Sequence, residues 1–132
     1  METQKTPRFL GSENAEDLKQ FTGTEQYHSC MAFVYTDGVN YLIQTRKCYW
    51  LLCDIALCIM SRIELKEEQF LICELTRHDK GATLVFLDGK SEIWYTQEYS
   101  HKEFNKFDDK GVRLYFVDGV LMLPSEMNFF LR

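Results

Sequence analysis

The feature that most constrains this chain is the rhythm of its second half, where short runs rich in β-branched and aromatic residues alternate with turn signals. Gln69 to Thr76, Thr83 to Leu87, Glu92 to Tyr99 and Val112 to Val117 have strand composition, and Val120 to Leu123 adds a return before Pro124. Between them, His78 to Gly81, Asp88-Gly89 and Asp118-Gly119 put Gly or Asp-Gly where a hairpin needs positive φ. Sequential strands joined this way predict an antiparallel β-meander of four to five strands, with a longer excursion from Ser100 to Lys110. Within Glu92 to Tyr99, Ile93 and Tyr95 fall on one face and Trp94, Thr96 and Glu98 on the other, the alternation of a sheet covering a core on one side.

The first half reads differently. Residues 1–11, with Pro7 and Gly11 among polar residues, predict a loose N-terminal arm. Ser12 is placed to cap a short helix over Glu13 to Phe21, with Glu13, Glu16 and Asp17 near its positive end and Thr22-Gly23 as its stop. Tyr27 to Tyr35 has the composition of one strand. Thr36-Asp37-Gly38 then offers a cap and turn before Val39, Leu42 and Ile43, which share a helical face. From Cys48 to Arg62, Tyr49, Leu52, Ile55, Ala56 and Ile59 keep helical spacing, and Trp50, Leu51, Leu57 and Met60 widen the stripe until most of the circumference is apolar. Such a helix is expected to be central and buried. The expected architecture is α+β: a helical N-terminal half packed on the meander, as a single globular domain over residues 1–132 without repeat or linker.

Composition narrows the function classes. A chain of 132 residues with 45% hydrophobic and 14% aromatic content holds a core and is not a disordered segment. Its net charge of -5 disfavours non-specific adhesion to nucleic acid or anionic membrane. No apolar run approaches the ~18 residues of a bilayer span. Met1 to Gln20 lacks the pattern of a signal peptide, so a cytoplasmic protein without membrane partners is expected. Cysteines 30, 48, 53, 58 and 73 are odd in number and set in apolar sequence, which reads as reduced core thiols. Steps of five residues turn about 140° around a helix, so Cys48, Cys53 and Cys58 diverge and neither metal nor cofactor is expected.

The search for chemistry returns few patterns. There is no phosphate-binding glycine loop, no His-Glu-x-x-His and no Gly-x-Ser-x-Gly. His28, His78 and His101 are far apart, and the pairs Glu67-Glu68 and Asp108-Asp109 adjoin lysine and read as solvated surface. A Cys-His nucleophile needs Cys30 with His28 or Cys73 with His78, side chains that share a strand face without necessarily touching. Glu64, Glu67, Glu68 and Glu74 resemble a phosphate mimic only weakly, since mimics carry a larger negative excess. The strongest partner-binding pattern interleaves basic and aromatic residues at His101, Lys102, Phe104, Lys106, Phe107, Lys110 and Arg113, where bases could stack and phosphates be neutralised. Glu103, Asp108 and Asp109 dilute it. Arg46-Lys47 beside Tyr49 and Trp50 forms a second such cluster, and Tyr95 and Tyr99 are aromatic anchors of the kind protein interfaces use.

The strings Leu18-Lys19-Gln20-Phe21-Thr22-Gly23-Thr24-Glu25, Tyr35-Thr36-Asp37-Gly38-Val39, Tyr49-Trp50-Leu51-Leu52 and Asp54-Ile55-Ala56 resemble an uncharacterised family of small bacterial proteins found in plasmids and phages. The resemblance covers the first half best and brings no catalytic residues. What it implies is context: small orphan proteins of mobile elements are often inhibitors of bacterial immunity, anti-CRISPR proteins prominent among them. The expectation is therefore a non-enzymatic interaction protein in the cytoplasm of a bacterial host. It inhibits CRISPR immunity by binding an effector nuclease, with an RNA-targeting type VI effector ranked first, or its guide RNA. The alternatives are a small hydrolase or nucleic-acid-processing enzyme using His28, His101 or a carboxylate pair, and a plasmid nucleic-acid-binding factor.

Overall fold

A computed structural model describes residues 14–31, 33–62, 65, 70–79, 81–100 and 110–127. The expected arm at 1–11 and the Ser12 cap lie outside them. Asp118-Gly119 turns the chain between β6 (Gly111–Val117) and β7 (Val120–Met122), with φ of 48° and 83° at the two residues. That pair of positive angles is the reason for Asp-Gly there. β3 (Phe70–His78), β4 (Gly81–Leu87) and β5 (Ile93–Ser100) form successive antiparallel pairs. At the β4–β5 turn the Asp88 carboxylate accepts the backbone N–H groups of Lys90 and Glu92 and the Trp94 indole N–H.

The helical N-terminal half on a four-to-five-strand meander is corrected in three ways. First, Tyr27 to Tyr35 is not one strand but a tight hairpin of β1 (His28–Cys30) and β2 (Phe33–Tyr35), reversed at Met31 with a φ of 47°. Second, β6 returns beside β3 and not beside β5, and β2 pairs with β7 in parallel. The sheet is therefore mixed and seven-stranded, in the order β1-β2-β7-β6-β3-β4-β5. Third, the expected first helix is a five-residue 3-10 turn, Glu16–Gln20, which leaves two α-helices among the described residues, α1 (Asp37–Arg46) and α2 (Tyr49–Ser61). The α+β class stands.

Leu71, Cys73 and Leu75 of β3 alternate onto one face, in register with Phe86 and Leu84 of β4 and with Phe116, Leu114 and Val112 of β6. All are buried, in one cluster with Val39, Leu42 and Ile43 of α1 and Leu52, Ile55 and Ile59 of α2. Burial of a Leu or Ile side chain contributes about 1.5–3 kcal/mol each, so this layer dominates the fold's stability. β7 joins β6 only from Tyr115 onward. Ahead of it the Asn14 side chain takes the place of a strand, accepting from the Arg113 N–H at 2.8 Å and donating to the Arg113 carbonyl at 3.0 Å.

α2 is not central. It touches β1 at one edge of the sheet, and at the other edge Trp50 packs on Tyr99 with ring centroids 5.5 Å apart while Cys58 reaches Gln97. Both edge strands thus reach the same helix, and the sheet curls about α2 without closing over it. No helix among the described residues is long and apolar enough to cross a membrane.

Candidate interaction surface

Of the residues singled out for partner binding, His101, Lys102, Phe104, Lys106 and Phe107 lie outside the described residues. The others do not form one patch. Arg46, in the last turn of α1, makes two bonds to Asp17, 2.9 and 3.0 Å long. Its neighbour Lys47 is exposed in the left-handed conformation that ends the helix. Arg113 donates through Nε and Nη2 to Glu74 Oε2 at 2.9 and 2.5 Å, and Glu74 is 2% exposed. Lys110, at the start of β6, is exposed. Tyr99 is buried and donates its hydroxyl to Asp54 at 2.7 Å. Tyr95 is half-buried, with the Arg62 guanidinium 4.3 Å from its ring centre. Asp17 is held down to about 2, first by its bond from Arg46.

The groups that could do chemistry are tied into architecture. His28 Nε2 lies 3.0 Å from Asp37 Oδ1, and its ring stacks on Tyr35. Asp37 also accepts the backbone N–H groups of Glu25 and Gln26, and these bonds, that from Glu25 first, keep its carboxyl below the usual range. The carboxylate thereby fastens the loop before β1 to the start of α1. On the opposite face of the sheet, His78 Nε2 contacts Thr83 Oγ1 at 3.1 Å, but the Thr83 hydroxyl donates to Glu98 at 3.0 Å. The histidine is therefore not drawing a proton from that hydroxyl. Burial raises the thiols of Cys30, Cys58 and Cys73, so none is a ready thiolate. No group of three or more metal-ligating side chains occurs among the described residues.

The Thr36-Asp37-Gly38 string is a buried junction. Thr36 caps α1 by accepting the Val39 N–H and donates its hydroxyl to Glu126 Oε1 at 2.6 Å. Glu126 is fully buried and also accepts the Gly38 and Leu123 N–H groups, at 3.1 and 2.8 Å. Burial pushes its carboxyl up, while these bonds and the positive end of α1 hold it. A Cβ on Gly38 would lie 2.6 Å from Leu123 Cδ1 and 2.8 Å from the Glu126 carboxyl. Glycine is required there for space.

The surface that sequence reasoning missed is the outer side of α2. Tyr49, Leu57 and Met60 are 55%, 54% and 43% exposed, and half-buried Cys53 lies between them on the same side of the helix. Met31, at the tip of the β1–β2 hairpin, is also exposed. This strip's members Tyr49, Cys53, Leu57 and Met60 are uncharged, and half-buried Asp54 flanks them on the same helix. Its signal in the sequence was the all-round apolarity of residues 49 to 60, taken for burial. Residues 12–127 match the model of a family described as "Family of unknown function (DUF6876)". No curated protein and no solved structure matches the chain.

Proposed function

The chain belongs to the family of unknown function DUF6876, and we propose that it acts as a non-enzymatic interaction protein that docks a protein partner on the outer strip of α2. One observation carries this reading: a helix apolar on nearly its whole circumference leaves Tyr49, Leu57 and Met60 in water. Helices of that composition are normally enclosed, and contiguous exposed apolar surface marks interaction sites. Aromatic and methionine side chains are enriched at interface centres. Arg46 and Arg113, from the expected nucleic-acid set, are held by Asp17 and Glu74, so among the described residues the apolar strip is the stronger support for binding.

The partner class we propose is a CRISPR effector nuclease of a bacterial host, with an RNA-targeting type VI effector first. The support for that choice is the sequence resemblance alone. The test is capture of tagged protein from a host expressing an active CRISPR locus, run beside Leu57→Lys, with mass spectrometry and RNA sequencing of what co-purifies. Enrichment of an effector that Leu57→Lys abolishes sustains the reading. Absence of any effector removes it, and capture of RNA that falls steeply with salt transfers the reading to guide RNA.

A further inference from the structure

We infer that Asp54 is the polar anchor of the α2 strip, so that the surface takes a protein segment presenting an arginine among apolar side chains. This rests on the reading of the strip as a docking surface and names the chemistry of what docks. Among the described residues the buried or half-buried carboxylates are Asp17, Asp37, Asp54, Glu74, Asp88 and Glu126. All but one are well supplied with donors. Asp17 and Glu74 each take two bonds from an arginine. Asp37, Asp88 and Glu126 each gather two backbone N–H groups and a side-chain partner. Asp54 takes one bond, from the Tyr99 hydroxyl to Oδ2 at 2.7 Å, and no cation among the described residues pairs with it. Arg62, just past the end of α2, is turned onto the Tyr95 ring instead.

Helical spacing sets Asp54 one turn after Trp50 and three residues before Leu57, so the carboxylate borders the exposed apolar side chains. Being half-buried, it is open to water in the free chain. A partner that covers Leu57 takes that water away, and a carboxylate enclosed without donors is strongly unfavourable. Whatever docks on the strip therefore has to bring a donor to Oδ1, and a cation meets the charge as well. Arginine suits the place better than lysine, because a guanidinium is weakly hydrated, bonds carboxylates through a planar fork and stacks on aromatic rings such as that of Trp50. α2 holds no cation to oppose it, and Lys47 stands outside the helix, ahead of its first turn. A nucleic-acid phosphate is the poorer occupant, since Asp54 repels it. So is a second copy, since a two-fold pairing sets this strip, with no cation of its own, against itself.

The test selects short random peptides displayed on phage against the full chain, with Asp54→Asn and Leu57→Lys chains as parallel baits. Asn keeps an acceptor for the Tyr99 hydroxyl, so the fold is expected to be retained. Peptides enriched on the unaltered chain should carry arginine beside Leu, Ile or Phe and bind Asp54→Asn about tenfold more weakly, the effect of losing one charged hydrogen bond. Glutamine in place of that arginine should cost about as much on the unaltered chain and nothing on Asp54→Asn, the signature of a direct pair. Lysine in its place should also bind more weakly, and Leu57→Lys should lose the peptides. Enrichment without arginine, or equal binding to the unaltered and Asp54→Asn chains, overturns the inference; if Leu57→Lys still loses those peptides, the docking strip survives. Peptides lost from Asp54→Asn but kept by Leu57→Lys overturn it too, since Asp54 then acts apart from the strip. So does failure to enrich any peptide, although effector capture that Leu57→Lys abolishes would leave the strip standing. Concentration-dependent self-association that Leu57→Lys abolishes assigns the strip to a second copy and is equally fatal. Arginine-dependent binding by a chain that captures no effector removes the effector and keeps the site.

Discussion

The two helices meet the sheet in opposite ways. At the start of α1 the buried polar groups are matched: Thr36, Gly38 and Leu123 all bond Glu126, and Asp37 gathers Glu25, Gln26 and His28. Along the outside of α2, Tyr49, Leu57 and Met60 stay exposed, and the residue that precedes the helix, Cys48, supplies no side-chain cap. One junction is over-determined and admits no change, whereas the other surface leaves packing unfinished. Strings that resemble a family's occur in both places, so such strings mark buried junction and exposed helix surface alike.

The sharpest way to break this comparison is Glu126→Ala, which leaves the Thr36 hydroxyl and two backbone N–H groups without their acceptor. Each stranded buried group costs about 1–3 kcal/mol, so a loss of roughly 3 kcal/mol or more in urea unfolding is expected. Gly38→Ala comes next, at about 2 kcal/mol, because the added carbon overlaps Leu123 and Glu126. Tolerance of either would show that the junction yields as readily as the strip.

Two carboxyls should then give pH effects of opposite sign. Glu126 is raised above its ordinary 4.5, so the folded chain holds that proton more tightly. Its contribution is full below about 4.5 and declines as pH rises through the folded value. Asp17 is lowered from 3.8 to about 2, so its contribution is present above 3.8 and is lost as pH falls toward 2. Asp17 is partly exposed, and solvent screening keeps its effect the smaller. Unfolding midpoints across pH 2 to 8 should lose the first slope in Glu126→Gln and the second in Asp17→Asn. The smallest stability change is expected for Leu57→Lys, within about 0.5 kcal/mol, although this variant should lose partner capture.

The same contrast explains what could be read from the chain beforehand. α1 was legible because Thr36 to Ile43 state cap, turn and one-sided apolar face together. β3, β4 and β5, and the pair β6–β7, were legible because Asp-Gly and Gly turns separate their strands, but the return of β6 beside β3 across the longer connection was not. The β1–β2 hairpin was not, since Met31 carries no turn chemistry and adopts positive φ under tertiary constraint. Pairing of β2 with β7 is set by contacts between Val34 and Val120, which no local pattern encodes. Apolar periodicity identifies a helix but does not say how much of it the rest of the fold can cover, and α2 was misjudged on that point. Arg46, Tyr99 and Arg113 looked like surface because their partners, Asp17, Asp54 and Glu74, are distant in sequence.

The dependence of α1 on Glu126 also bears on synthesis. A nascent chain that has emerged only as far as α2 has the start of α1 without its acceptor and β2 without its parallel neighbour. Native structure in the first half must then wait for residues some ninety positions downstream. During that interval the apolar turns of α2 lack the strands that cover them in the finished fold, which makes the unfinished polypeptide prone to aggregation.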